Sequence, residues 1–315
     1  MLPRAACCRS DMMKGANMAH SDDRGPAAGV VGLGVMGSAI SRRLLDRLGA
    51  VHVNDVRPQA RDELAAQGAT AHGDPAGVAA ASNIVVLSLN TAATVEQAVF
   101  GAGGVADGAS EGLLIVDMSS IDPASTQGFA RRAEDQGLGW VDAPLSGGAP
   151  GAREGTLTLM VGGPAKDVAR ARSVLDHVAT TVTHLGDHGA GQLVKLLNQI
   201  VVGCEFAAIA ECAALSRAAR LDPAVVSAAL QGGRADSAVL REFFVKFATL
   251  DLSPTGRVSN MVKDLETARA FACSAGVPVP VTTTVSELHR WLQAHGHGDA
   301  DNAALMHYYV SGDSE

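Results

Sequence analysis

The sequence predicts an α/β protein: a doubly wound parallel sheet in the N-terminal part, then an all-α C-terminal domain. Three observations carry this. Short apolar runs of strand length alternate with helical stretches between residues 29 and 162, the pattern of a parallel sheet with helices on both faces. The first run passes directly into a glycine turn and a helix, the unit that opens such sheets. Past residue 190 the alternation stops, and Ala-, Leu- and Val-rich helical stretches follow with no comparable strand signal.

In chain order, residues 1–26 are polar and charged with no apolar centre. They do not read as a secretory signal and are expected to be a disordered tail. Val30 and Val31 are β-branched and apolar, as a buried parallel strand requires. Gly32, Gly34 and Gly37, with Leu33, Val35 and Met36 between them, form G-x-G-x-x-G. The first glycine permits the tight turn, the second lets backbone approach a pyrophosphate, and the third lets the helix pack close to the strand. The following helix aims its N-terminal N–H groups at that phosphate. A second strand, Ala50–Asn54, ends at Asp55, 21 positions past Gly34. A carboxylate there meets the ribose hydroxyls of NAD. The plainer alternative is a glycine-tightened βα turn.

A helix over Pro58–Gln67 follows, then strands at Asn83–Leu89, Leu113–Met118 and Trp140–Ala143, with helices at Ala92–Phe100 and Pro123–Gln136 between them. Ligands of such sheets bind beyond the carboxyl ends of the strands, which selects the loops Leu89–Thr91, Ser119–Ser120 and Pro144–Gly148. Thr156–Gly162 reads as a further strand. Helices are expected at Leu193–Arg220, Ala224–Leu230, Ala238–Phe247, Met261–Ser274 and Val281–His295. The division is therefore a cofactor domain over 27–189 and a helical domain over 190–315.

Composition narrows the function. A net charge of −8 argues against a general nucleic-acid surface. Five cysteines, an odd number without C-x-x-C, fit neither a disulfide framework nor a zinc site, and point to reduced thiols in a cytoplasmic protein. The ten histidines show no metal spacing, so no metal is expected. His184, His188, His295 and His297 are read as water-facing. The most apolar long segment, Leu193–Ala219, is interrupted by Lys195, Glu205, Glu211 and Arg217, so no membrane span is expected.

Three stretches could do chemistry. In DAPLSGG, Ser146, Gly147 and Gly148 could form an anion nest for a small carboxylate, or an ordinary turn. In GAGQLVKLLNQ, Lys195 shares a helix face with Asn198 and Gln199. Such a lysine could donate a proton beside an orienting amide if partly desolvated. The alternative is a solvated lysine near a helix start. Lys263 and Asp264, taken alone, are a charged surface pair.

Together, GLGVMG, DAPLSGG with GTLTLMVGG, GAGQLVKLLNQ and VKDL, in this order from Gly29 to Ala304, resemble the β-hydroxyacid dehydrogenase family. The resemblance implies a Rossmann-type cofactor domain and a helical domain that assembles a homodimer or homotetramer. It implies Lys195 as the proton carrier, Ser146, Gly147 and Gly148 as the substrate-carboxylate loop, and Asn198 and Gln199 as the orienting pair. Leu89, Asn90, Thr94, Ser120 and Lys263 are implied as cofactor contacts beside the glycine turn and Asp55. The implied substrate is a small hydroxy acid. Asp55 favours NAD, because a carboxylate repels a 2′-phosphate, while Arg57 leaves NADP possible. Asn90 replaces a proline common in relatives, and TGRVSNMV lacks their phenylalanine; both departures bear on the substrate, not on the reaction class. Two other readings are imine reduction on the same scaffold and a non-catalytic dinucleotide-binding sensor.

Overall fold

The computed structural model describes residues 27–310, so the expected tail over 1–26 lies outside the described residues. The N-terminal half opens with β1 (Ala28–Val31), α1 (Val35–Leu48), β2 (His52–Asn54), α2 (Pro58–Ala65), β3 (Thr70–Ala71) and α3 (Pro75–Ala80). It continues through β4 (Ile84–Leu87), α4 (Ala92–Phe100), α5 (Val105–Gly108), β5 (Leu114–Asp117), α6 (Pro123–Glu134) and β6 (Gly139–Asp142). The six strands lie in the order β3-β2-β1-β4-β5-β6, all parallel. β1, β4 and β5 are buried throughout, which is why they read as continuous apolar runs rather than alternating ones.

The sheet then changes direction. β7 (Leu145–Ser146), α7 (Gly148–Glu154), β8 (Leu157–Gly162), α8 (Ala165–Val178) and β9 (Ala179–Gly186) follow. β8 runs antiparallel to β6 and β7, and β9 runs parallel to β8. One face of the sheet packs on α1 and α8 through Ile40, Leu44, Val168, Val174 and Leu175. The other packs on α3 to α6 through Val78, Val95, Val105 and Ala130, with Trp140 at its end.

α9 (Ala190–Ala218) leaves the sheet and is the spine of the second half. Around it pack α10 (Pro223–Leu230), α11 (Ala238–Ala248), α12 (Val258–Ser274), α13 (Pro280–Leu292) and a 3₁₀ segment over Asn302–Tyr308. Their shared core is Phe206, Phe243, Phe244, Phe247, Leu265 and Leu305. By length and composition α9 could cross a membrane. Here its buried face is the core of the helical half.

Helix starts follow local chemistry. The side chains of Asp74, Thr91, Asp122 and Ser237 each accept from the backbone N–H three residues on, and that of Asp222 from the N–H two residues on. α9 has no such side chain of its own. Its first turn is capped across the fold: both carboxylate oxygens of Asp142, at the end of β6, accept from the N–H groups of Gly189 (2.9 Å) and Gln192 (3.0 Å). The helix expected to reach His295 stops instead at Leu292, and the chain kinks at Gly296, whose φ of 86° a helix cannot hold. His188 is half-buried and bonds the Trp140 carbonyl at 2.9 Å, and His297 stacks on His307, so neither simply faces water.

Candidate active site

The glycine turn sits at the carboxyl edge of the sheet, between β1 and α1. Gly32 has φ 94°, and a Cβ there would overlap the Ser88 carbonyl. A Cβ on Gly37 would overlap the carbonyl oxygen of Gly32, so only glycine lets α1 approach this closely. Gly34 is different: the space where its side chain would lie is open, and no side chain caps α1. Uncapped helix N–H groups behind an open glycine fit a pyrophosphate. Leu33 is buried, Val35 is exposed and Met36 is half-buried.

Asp55 closes this corner. Its Oδ2 accepts from the Leu33 N–H at 2.7 Å, and its Oδ1 accepts from the Arg57 N–H at 2.8 Å and Nε at 3.0 Å. Burial alone would raise its pKa, but these hydrogen bonds outweigh it and hold the carboxyl below its usual value. Leu89 donates its N–H to Ser119 Oγ at 3.0 Å, and exposed Thr94 shares a hydroxyl contact of 2.7 Å with Thr91.

The second half of the molecule reaches back to these loops. Lys263, on α12, donates to the carbonyl oxygens of Ser120 (2.6 Å) and Asn90 (3.3 Å). Three of the residues implied by resemblance are thus brought together. Beside them Ser120, Ile121, Gln192, Lys195, Gln199 and Asp264 line a narrow, nearly closed cleft with no room for a water.

Lys195 is not the solvated lysine of the plainer reading. It is 9 % exposed, and its Nζ donates to Gln199 Oε1 at 2.8 Å. Gln199 in turn donates through Nε2 to Asp264 Oδ2 at 2.5 Å, and Asn198 donates to Gln199 Oε1 at 2.9 Å. Asp264 Oδ1 lies 3.1 Å from Lys263 Nζ. A carboxylate accepts only, so Asp264 fixes which end of the Gln199 amide faces Lys195. Burial, opposed by the Asp264 carboxylate and reinforced by the Lys263 charge, leaves the Lys195 pKa lowered to about 8. A lysine near neutrality can both give and take a proton.

Ser146, Gly147 and Gly148 occupy a different position. Ser146 belongs to β7 and pairs with Thr158, and Gly147 (φ 116°) turns the chain into α7. They are not among the residues lining the cleft around Lys195.

Two participants carry no functional role in the sequence reading. Asp264 is buried, not a surface charge. Its signal is the buried stripe Met261, Asp264, Leu265, Ala268 and Ala272 on α12, which puts the carboxylate on the inward face. Gln192 is fully buried, donating to the Ser119 carbonyl (2.8 Å) and accepting from the Ile121 N–H (3.2 Å). It stands three residues before Lys195, on the same face.

A glycine turn shaped for a pyrophosphate and a buried lysine in the adjoining cleft define an NAD(P)-dependent oxidoreductase. Residues 27–186 match the family described as the NAD binding domain of 6-phosphogluconate dehydrogenase. Residues 189–309 match the NAD-binding domain of NADP-dependent 3-hydroxyisobutyrate dehydrogenase. The 2-hydroxy-3-oxopropionate reductase of Escherichia coli is 34 % identical over 278 residues, 88 % of this chain and 95 % of that one. The 3-hydroxyisobutyrate dehydrogenase of Pseudomonas aeruginosa is 33 % identical over 87 % of this chain and 94 % of its own. The crystal structure of 3-hydroxyisobutyrate dehydrogenase from Salmonella typhimurium superposes with a TM-score of 0.82 at 31 % identity, covering 90 % of this chain and 99 % of that one. The chain belongs to the β-hydroxyacid dehydrogenase family, whose members carry out NAD(P)-dependent oxidoreduction of hydroxy acids.

Proposed function

We propose that the chain interconverts a short 3-hydroxy acid and its aldehyde or keto acid, with Lys195 as general acid and base. The observation that carries this is the buried Lys195, with its pKa at about 8 and its Nζ fixed by Gln199 in a cleft beside the cofactor loops. A nicotinamide, when bound, supplies or accepts the hydride. The chain's own residues do the rest. In oxidation the neutral Lys195 amine takes the hydroxyl proton; in reduction its ammonium form returns a proton to the carbonyl oxygen. Gln199, held by Asp264, and Asn198 orient the substrate, and the loop of Ser146, Gly147 and Gly148 receives its carboxylate. Gly32–Gly37, Asp55, Leu89, Asn90, Thr94, Ser120 and Lys263 hold the cofactor.

In this reading residues 27–189 form the cofactor domain and 190–315 the helical substrate and dimerisation domain. A second copy of the chain covers the outer face of α9, where Leu197, Val201 and Leu215 are exposed along one stripe. Cys204, Cys212 and Cys273 are free thiols, in keeping with a cytoplasmic protein.

The test is turnover with NAD and NADP on 3-hydroxyisobutyrate, glycerate, 4-hydroxybutyrate and threonate, alongside Lys195→Ala. The reading expects activity on at least one acid, reduced about 10²- to 10⁴-fold in the variant, with cofactor binding kept. Activity that survives the substitution removes Lys195 from the mechanism. Binding without turnover on any acid favours an imine substrate or a sensor.

A further inference from the structure

We infer that Asp55 and Arg57 act as one unit that reads the 2′-phosphate of NADP(H), with Asp55 as a positioning residue for the guanidinium rather than an acceptor for the ribose. This rests on the cofactor occupying the glycine turn, and it inverts the usual reading of an acid at the end of β2, under which Asp55 selects NAD.

The argument is one of occupancy. A carboxylate offers about four acceptor positions. At Asp55 four N–H contacts already fill them: Leu33 N and Arg57 Nη2 on Oδ2 (2.7 and 3.3 Å), and Arg57 N and Nε on Oδ1 (2.8 and 3.0 Å). Arg57 Nη2 also donates to the Leu33 carbonyl at 2.9 Å. The guanidinium is therefore laid across the glycine turn and held from two sides. A ribose diol could bond Asp55 only by displacing these donors.

Exposure and charge point the same way. The Asp55 side chain is 8 % exposed and that of Arg57 is 59 % exposed, so the group this corner offers to a ligand is a cation. The carboxylate is compensated by its own partner, and the pair carries no net charge to repel a phosphate. With Nε and Nη2 committed to Asp55 and the Leu33 carbonyl, the guanidinium keeps Nη1, with two N–H donors and the fixed positive charge, for phosphate oxygens. Without Asp55 the same side chain would be a long surface arginine with its rotamers free, and ordering it on binding would weaken the contact.

The experiment is a fluorescence titration of NADPH and NADH, without substrate, on the full chain and on Arg57→Gln and Asp55→Asn. A failure of the lysine chemistry leaves this readout untouched. The expected results are tighter binding of NADPH than of NADH by the unaltered chain, and NADPH affinity reduced about tenfold to a hundredfold in Arg57→Gln, the loss of charge-assisted hydrogen bonds, with NADH changed far less. Asp55→Asn is expected to weaken NADPH as well, because the guanidinium loses its anchor. The inference is overturned if Asp55→Asn tightens NADPH while weakening NADH, or if Arg57→Gln leaves the NADPH to NADH ratio unaltered. Asp55 also holds the Leu33 N–H, so a variant there that loses both cofactors has lost the turn; Arg57→Gln, on an exposed side chain, then decides alone.

Discussion

At the scale of single residues, the chemistry of Lys195 is set by its neighbours. With its pKa near 8, oxidation needs the neutral amine, so kcat for oxidation should rise as pH passes up through about 8. Reduction needs the ammonium form and should fall across the same range. A pH profile in both directions checks this, and two limbs that do not mirror each other would remove the lysine as the titrating group. Asp264→Asn tests the wiring behind it. Removing that negative charge destabilises the ammonium form, so both limbs should move to lower pH. An asparagine can also accept either end of the Gln199 amide, so kcat should fall more than KM rises. A profile that stays in place would reduce Asp264 to packing. The lysine and its amide partners are legible in the spacing of GAGQLVKLLNQ, but the burial of Lys195 is not. The cleft is closed by Asp264, 69 positions further on, and by the loop at Ser120.

At the scale of elements, the carboxyl edge of the sheet carries two buried acids in register, Asp117 on β5 and Asp142 on β6. Burial raises the Asp117 carboxyl to about 7, against hydrogen bonds from Ser119. A folded pKa above the unfolded value gives stability that is fully present below the unfolded pKa, near 3.9, and is lost as pH rises through the folded one. The unfolding free energy from urea titrations should therefore decline from about pH 4 to pH 7 at this site, by on the order of a few kcal/mol, and Asp117→Asn should flatten the decline. An equally steep decline in the variant would place the effect elsewhere. Asp142 holds the first turn of α9, so Asp142→Ala leaves two N–H groups without an acceptor and should cost about 1–3 kcal/mol, with turnover falling because Lys195 rides on that helix. Unchanged stability and rate would mean that water replaces the cap. The buried parallel strands and the apolar helices are readable because each carries its burial in its own residues. α8 is readable in principle: Val168, Ala171, Val174, Leu175 and Val178 repeat at helical spacing, though interleaved charges obscure them. β9 is not, because it is exposed along most of its length and exists only as a partner of β8.

At the scale of the whole molecule, the outer stripe of α9 should govern assembly. Leu215 is 71 % exposed in a single copy. The unaltered chain should sediment as a dimer or tetramer and Leu215→Asp should shift it toward the monomer; a monomeric unaltered chain would retire the proposal. The rod itself has a further consequence. Lys195 lies three residues beyond Gln192, the residue tied to β6 and to the loop after β5. At 1.5 Å per residue that is about 4.5 Å from the anchor, while Ala218 is about 39 Å away. A bearing at one end of a lever moves least. If the helical half swings so that its far end travels about 4 Å, Lys195 shifts by roughly half an ångström, close to the tolerance that a catalytic group allows. Structures with and without cofactor, superposed on the sheet, would measure both displacements. The proposed proton carrier is mounted at the fulcrum, where such a swing would disturb its aim least.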